Sequence, residues 1–215
     1  MPPIHLQNHL QQGVAQLSLD LDTGQISQLL DFLGLLEKWN RAYNLTAVDS
    51  PADMVNRHLL DSLAPAPYLH GDSLLDIGSG AGLPGIPLAI AFPGMQVMML
   101  DSAGKKVRFI NHVIRELALP NAGTRHCRIE AYQPRVCPDT ITARAVAALP
   151  KIVGWCDQLM GPDTRLLAMK GRYPEQELLA LPAGFMIEKV VALDVPFDAS
   201  ERHLAIVRRE VRQDT

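Results

Sequence analysis

The stretch Ser73-Leu74-Leu75-Asp76-Ile77-Gly78-Ser79-Gly80-Ala81-Gly82-Leu83-Pro84-Gly85-Ile86-Pro87 decides the fold class of this chain. An apolar run leads into glycines at every second position, and a second apolar segment bearing prolines follows. That is the order of a buried strand, a tight turn and the start of a helix. In α/β proteins such a unit holds the adenosine part of a cofactor, because glycine lets the backbone approach a ligand where a Cβ would clash.

The glycines alone leave the cofactor open. Gly80-Ala81-Gly82-Leu83-Pro84-Gly85 fits the dinucleotide fingerprint G-x-G-x-x-G, and Asp101 stands where that fingerprint has its ribose-binding acid. A turn that binds nothing is a third reading. Three features favour the methyl donor S-adenosylmethionine. Asp76 sits in the strand just ahead of Gly78, and a carboxylate aimed at the ligand from there suits a cationic, hydroxyl-bearing molecule better than a pyrophosphate. The motif lies well inside the chain, whereas dinucleotide folds often begin near it. Leu83-Pro84 thickens the turn with apolar atoms, and no lysine or arginine falls between Asp76 and Asp101 to meet a phosphate.

Downstream, strands and helices alternate. Leu74–Ile77, Gln96–Leu100, Thr124–Arg128, Thr140–Ala143 and Arg165–Met169 read as strands. Pro84–Phe92, Lys105–Leu117, Leu149–Met160 and Pro174–Leu181 read as helices, the second with apolar residues at Val107, Ile110, Val113, Ile114 and Leu117. Phe185–Leu193 and Arg202–Arg209 are strands joined by too few residues for a helical crossover, so they should pair antiparallel. Upstream, residues 22–40 carry a helical period at Ile26, Leu29, Leu30, Leu33 and Leu36, with Asp22 or Thr23 as cap. Ser50-Pro51-Ala52-Asp53 opens another helix, which Pro65-Ala66-Pro67 stops. The expectation is an α/β fold: a small N-terminal helical cap over residues 1–68, then a Rossmann-like methyltransferase domain over 69–215. Its sheet is seven-stranded, mostly parallel, and ends in an antiparallel hairpin.

The hydrophobic fraction of 47% suits a globular protein with a good core. No apolar run reaches the ~18 residues that span a bilayer, and Met1-Pro2-Pro3-Ile4-His5-Leu6-Gln7 lacks the basic region of a secretory leader. Cys127, Cys137 and Cys156 lack metal-ligand spacing. They read as reduced thiols in a cytoplasmic protein, and no metal is expected. The net charge of −3 argues weakly against nucleic acid, but the charge is uneven: residues 1–70 hold three bases against seven acids. The remaining bases come in groups, among them Lys105, Lys106, Arg108 and Arg115; Arg125, Arg128, Arg135 and Arg144; Lys170 and Arg172; Arg202, Arg208, Arg209 and Arg212. Such groups can bind phosphates despite an acidic total, or be solvated surface and nothing more.

Five points converge at the carboxyl ends of the strands, where such sheets bind ligands: Asp76–Gly82 (with Gly78, Gly80 and Gly82), Asp101, Ile129-Glu130, Arg144 and Lys170-Gly171. Asp101 is placed to accept both ribose hydroxyls, Ile129 to cover an adenine face and Glu130 to meet its polar edge. Trp39-Asn40-Arg41-Ala42-Tyr43-Asn44-Leu45-Thr46, Arg57-His58-Leu59-Leu60-Asp61-Ser62, the glycine stretch, Leu100-Asp101-Ser102-Ala103-Gly104-Lys105-Lys106-Val107-Arg108-Phe109 and Met169-Lys170-Gly171 together resemble the bacterial RsmG family, formerly called GidB. The resemblance covers about residues 20–209. It implies methylation of guanine N7 at position 527 of 16S ribosomal RNA with S-adenosylmethionine, on the free RNA or the small subunit, by a protein expected to be monomeric. It places cofactor contacts at Gly78, Leu83, Ile129, Glu130 and Arg144. One departure is that the loop reads Gly-Ser-Gly-Ala-Gly where Gly-Thr-Gly-Pro-Gly is common; Ala81 removes some stiffness without changing the cofactor.

The chemistry of N7 agrees with this. N7 has a free lone pair and no proton, so attack on a sulfonium methyl needs no general base. The chain accordingly has no Asn-Pro-Pro-Tyr motif and no Pro-Cys nucleophile. Catalysis then rests on orientation and electrostatics, with Arg57, His58, Asp61, Arg144 and Lys170 as candidates. By motif position, Asp61 is the acid to stabilise the charge that develops on the guanine. Tyr43 joins Arg57, His58, Arg144 and Lys170 as candidates for holding the base and its phosphates. Competing functions are a small-molecule methyltransferase, a non-catalytic cofactor-binding assembly factor and a dehydrogenase.

Overall fold

The computed structural model describes residues 4–48 and 50–210; Arg212, counted above among the C-terminal bases, lies outside them. Two long helices open the chain: α1 (Ile4–Gln16) and α2 (Thr23–Tyr43). The α2 start is fixed by a capping box. The Gln25 backbone N–H donates to Asp22 Oδ1 at 2.8 Å, and the Asp22 N–H donates to Gln25 Oε1 at 2.9 Å. Its end is set by Asn44, whose left-handed φ of +48° halts the helix.

The next helix is not one regular rod, as its sequence suggests. It runs as α3 (Pro51–Met54), a π-helical turn (Val55–Leu60) and α4 (Asp61–Leu63). Ser50 caps it and Pro51 occupies its first turn. Leu60, in the π turn, packs against Gly13 of α1, where any Cβ would collide with its methyl groups. A glycine in the middle of α1 is thus the space that seats the wide turn.

The sheet contains β1 (Ser73–Ile77), β2 (Gln96–Asp101), β3 (Ala122–His126), β4 (Thr140–Arg144), β5 (Arg165–Lys170), β6 (Phe185–Ala192) and β7 (His203–Arg209). Its order is β3-β2-β1-β4-β5-β7-β6. The first five strands are parallel, and β7 runs antiparallel between β5 and β6. The expected sheet, with its closing hairpin, is therefore present. β1 lies in the interior of the sheet between β2 and β4, buried from Leu74 to Ile77, as a strand covered on both faces must be. The helices between strands are α5 (Gly85–Ala91), α6 (Gly104–Glu116), α7 (Leu149–Cys156) and α8 (Glu175–Leu179).

β3 lies two residues earlier than its sequence suggests. The expected strand is Thr124–Arg128, but pairing with β2 runs from Val97↔Ala122 to Asp101↔His126. Ile129 and Glu130 are thereby released into a short 3-10 turn at the strand's exit. The first helix, α1, had no sequence expectation of its own.

One sheet face and the N-terminal helices share a core. Leu29, Phe32 and Leu36 of α2 bury with Ile86 and Leu88 of α5 and Phe109, Ile110 and Val113 of α6. The other face packs Leu75, Ile77 and Ile141 under Leu149, Ile152 and Val153 of α7. Among the described residues, no helix is long and apolar enough to cross a membrane.

Candidate active site at the carboxyl edge of the sheet

A cleft of about 380 Å³ opens at the carboxyl ends of β1 and β2. Gly78, Asp101, Lys106, Ile129, Glu130 and Trp155 line it. The turn over β1 is held from below. Ser79 N–H donates to the Leu100 carbonyl at 2.9 Å, and Ser79 Oγ donates to the Asp76 carbonyl at 2.8 Å. Gly78 stands exposed at φ +66°, and a Cβ there would lie 2.8 Å from Val146 Cγ2. Only glycine leaves that wall open.

Asp101 braces the cleft. Gly80 N–H donates to its Oδ2 at 2.9 Å and Ala103 N–H to its Oδ1 at 2.7 Å. Each oxygen keeps acceptor capacity, so the carboxylate can still take two hydroxyls. Lys106 Nζ stands 3.7 Å from Asp101. It and Arg128 reach the cleft from outside the Asp76–Asp101 interval. The lack of cations in that interval therefore does not make the cleft free of them; the Lys106 charge is instead balanced by Asp101.

Asp76 does not face this cleft. It is fully buried, accepting from Gly85 N–H at 3.1 Å and from Thr142 Oγ1 at 3.1 Å. Its carboxylate ties β1 to the start of α5 and to β4, so it shapes the turn rather than the ligand surface. Gly80 and Gly82 likewise build the turn, and Leu83 packs against the core beneath the N-terminal helices. Of the residues expected to hold a cofactor, Gly78, Asp101, Ile129 and Glu130 come together. The set could take an adenosine: an open glycine wall, a carboxylate with acceptor capacity left, and the apolar surfaces of Ile129, Val146 and Trp155.

A second cleft, of about 320 Å³, adjoins the first and is lined by Asp61, Arg144, Lys170, Gly171, Arg202 and His203 among others. Ala145 lines both clefts. It is an exposed, non-glycine residue at φ +53°, immediately after β4. Arg144 thus lines this second cleft and not the first. Its Nη2 donates to the Arg57 carbonyl at 2.7 Å and lies 3.1 Å from Asp61 Oδ2, and its Nη1 donates to Ser62 Oγ at 3.3 Å.

The other candidates fall around it. Lys170 Nζ donates to Glu177 at 2.7 Å and to the Ala147 carbonyl at 3.0 Å. Asp61 is 2% exposed and carries Arg202 as well as Arg144, so its charge is spent on two guanidiniums and is not free to face a base. His58 is buried in the π turn, 2.9 Å from Thr46 Oγ1, with Nδ1 unpartnered. Burial, with the Arg144 charge beside it, lowers its pKa to about 4. Arg57 points outward, half-exposed. Tyr43 stacks on Trp39 instead of reaching the second cleft.

Trp155 and Asp198 had no sequence signal, and Lys106 and Arg202 were legible only as members of basic groups that could meet phosphates. Trp155 and Lys106 sit on crossover helices, Asp198 and Arg202 on the β6–β7 connection, and each meets the site only through the strand order. Among the described residues, no three His, Cys, Asp or Glu side chains are grouped to hold a metal ion. A further apolar cavity, of about 370 Å³, lies under residues 132–138 near the amino ends of β1 to β3, away from both clefts.

Known proteins are similar to this chain in sequence and in fold. The family described as GidB, rRNA small subunit methyltransferase G, matches residues 25–205. A ribosomal RNA small subunit methyltransferase G of Pseudomonas syringae pv. syringae (strain B728a) is 49% identical over 207 residues, covering 96% of each chain. One from Marinobacter nauticus is 50% identical over 203 residues, covering 94% of this chain and 95% of the relative. The solved N-methyltransferase NodS of Bradyrhizobium japonicum WM9, in complex with S-adenosyl-L-homocysteine, superposes with a TM-score of 0.57 at 13% identity, over 81% of this chain and all of that one. At that identity the likeness is one of fold.

Proposed function

The chain belongs to the GidB family, rRNA small subunit methyltransferase G, and from that premise we propose that it methylates N7 of one guanine of 16S ribosomal RNA, at position 527 as the family resemblance implies. It is an S-adenosylmethionine-dependent methyltransferase. The site supports this division of labour: the cleft beside Gly78 and Asp101 takes the cofactor, and the cleft beside Arg144 takes the acceptor. The helical cap, residues 1–68, supplies Asp61 to that second cleft and Ser62 as a partner of Arg144 behind it, and so forms part of the acceptor site. The small subunit or its RNA is the partner, in the cytoplasm.

Bound in the first cleft, S-adenosylmethionine supplies an electrophilic methyl on a sulfonium. The residues of the chain position and exclude. Asp101 fixes the turn through two backbone N–H groups and offers its free lone pairs to hydroxyls. Gly78 leaves room for the ligand against Val146. Arg144 stands at the boundary, held by three contacts. The observation that carries the reading is the state of the second cleft. Asp61 is paired to two arginines, Lys170 is paired to Glu177, and no cysteine lines it. The cleft's carboxylate and ammonium are thus committed to partners; His203, whose ring meets the Gly171 carbonyl at 3.4 Å, is the imidazole on its wall, and N7 has no proton for it to take.

The test compares acceptors. Labelled S-adenosylmethionine is incubated with the protein and either 16S RNA, small subunits or a panel of small-molecule amines. RNA-dependent incorporation is expected, with calorimetric heat for S-adenosylmethionine and none for NADH. Transfer to small molecules alone, or tight NADH binding, would overturn the reading.

A further inference from the structure

The second cleft is bounded by a chain of charges that joins three segments far apart in sequence. Asp61, in α4, has both oxygens occupied: Arg202 Nε donates to Oδ1 at 2.7 Å, and Arg144 Nη2 lies 3.1 Å from Oδ2. Arg202 turns its other arm outward, and Nη2 donates to Asp198 Oδ2 at 3.2 Å. Asp198 is held by the Ser200 backbone N–H at 2.9 Å and faces Arg57 Nε at 3.9 Å. Arg144 closes the circuit by donating to the Arg57 carbonyl at 2.7 Å. The π turn, the end of β4 and the β6–β7 connection are thus one network.

Arg202 is the only guanidinium here that ties two carboxylates together through its fork. A buried carboxylate left with one partner is unstable unless it moves toward that partner. Without Arg202, Asp61 has Arg144 alone. The shortest way to satisfy it is to draw the Arg144 guanidinium inward, off Ser62 and the Arg57 carbonyl and away from Ala145.

We infer that Arg202 is a positioning residue for methyl transfer: by holding Asp61 from the hairpin side, it fixes where Arg144 stands beside the acceptor, and Asp198 fixes Arg202 in turn. This rests on the reading of the second cleft as the acceptor site. The device works through geometry as well as charge, because lysine at position 202 offers a point charge and no fork.

The test measures single-turnover transfer from labelled S-adenosylmethionine to small-subunit RNA, with cofactor affinity followed separately by Trp155 fluorescence. R202Q should lower the rate at saturating RNA by roughly 10- to 100-fold, as misplacement of a positioning group does, while leaving cofactor affinity unchanged. R202K should recover part of the loss. In an R144A background R202Q should have no further effect, because both act through one contact. D198N, which keeps its shape and one acceptor, should show a several-fold loss of the same kind and serves if R202Q does not fold. An unchanged rate in R202Q or D198N, or losses in R144A and R202Q that multiply independently, would overturn the inference. If the wild-type protein transfers no methyl to RNA, the acceptor reading itself fails. The Arg202 inference is then read from a crystal structure of R202Q or D198N: Arg144 displaced from the Arg57 carbonyl supports it, and Arg144 in place contradicts it.

Discussion

Asp76 and His58 are buried and titrate in opposite senses. Burial pushes the Asp76 carboxyl up to about 6, against the pull of its hydrogen bonds from Ser79, Gly85 and Thr142. Burial and the Arg144 charge bring His58 down to about 4. Asp76 ionises more easily in the unfolded chain, so its contribution to stability is present at low pH and is lost as pH rises through about 4 to 6. His58 protonates more easily in the unfolded chain, so its contribution is present above about 6.5 and is lost as pH falls toward 4. Each difference is worth about 3 kcal/mol, and in the shared window the two oppose each other. Asp76→Asn removes one side of that balance. Measured by urea unfolding at about pH 7 and about pH 4.5, the stability difference between D76N and wild type should shift by ~2–3 kcal/mol against D76N on acidification. Parallel curves would mean that Asp76 titrates normally. Asp76 was conspicuous in sequence because it precedes the glycines, but its partner Thr142 lies on β4, so sequence alone aimed it at the ligand. Gly78, Asp101, Ile129 and Glu130 were legible because each directly follows or ends a strand on the ligand side. Trp155 and Arg202 were not, because nothing local distinguishes them from a core aromatic and a solvated base.

At the scale of elements, the glycine turn and the π turn do different work. Gly78 needs a left-handed φ and an empty Cβ position facing Val146. Gly78→Ala meets both obstacles, so cofactor affinity should fall at least tenfold by calorimetry, equivalent to about 1.4 kcal/mol; wild-type affinity in G78A would show that the cofactor lies elsewhere. The capping box of α2 is stability alone. Asp22→Ala should cost about 1 kcal/mol. Because α2 shares its core with α5 and α6, that loss should lower a single unfolding transition of the whole chain, and a separate early transition would show the cap to be an independent unit. The periodicity of α2 was plain in sequence. The π turn was not, because its register is set by Leu60 against Gly13, a contact across 47 residues that no local pattern encodes.

For the whole molecule, the charge split has a spatial meaning. Arg57, Arg108 and Arg172 are exposed, and Arg172 directly follows Lys170-Gly171, which line the second cleft. RNA affinity should weaken with salt, and Arg172→Ala should flatten the slope of log affinity against log salt by about one unit if it meets a phosphate; a slope identical to wild type removes it from the interface. The alternation of strands and helices and the short final connection made the sheet legible, down to its antiparallel closure. The meeting of the two clefts at Ala145 was not, since it depends on the cap, β4 and the hairpin arriving together. On the proposed division of labour the methyl crosses at that meeting, and mapping the product reads it. After single-turnover transfer of a labelled methyl to small-subunit RNA, nucleotide-resolution mapping should find one methyl, on N7 of one guanine, and less of it with G78A at limiting cofactor. Label on an exocyclic amine, on a ribose or spread over many guanines would contradict a base-free transfer at this site.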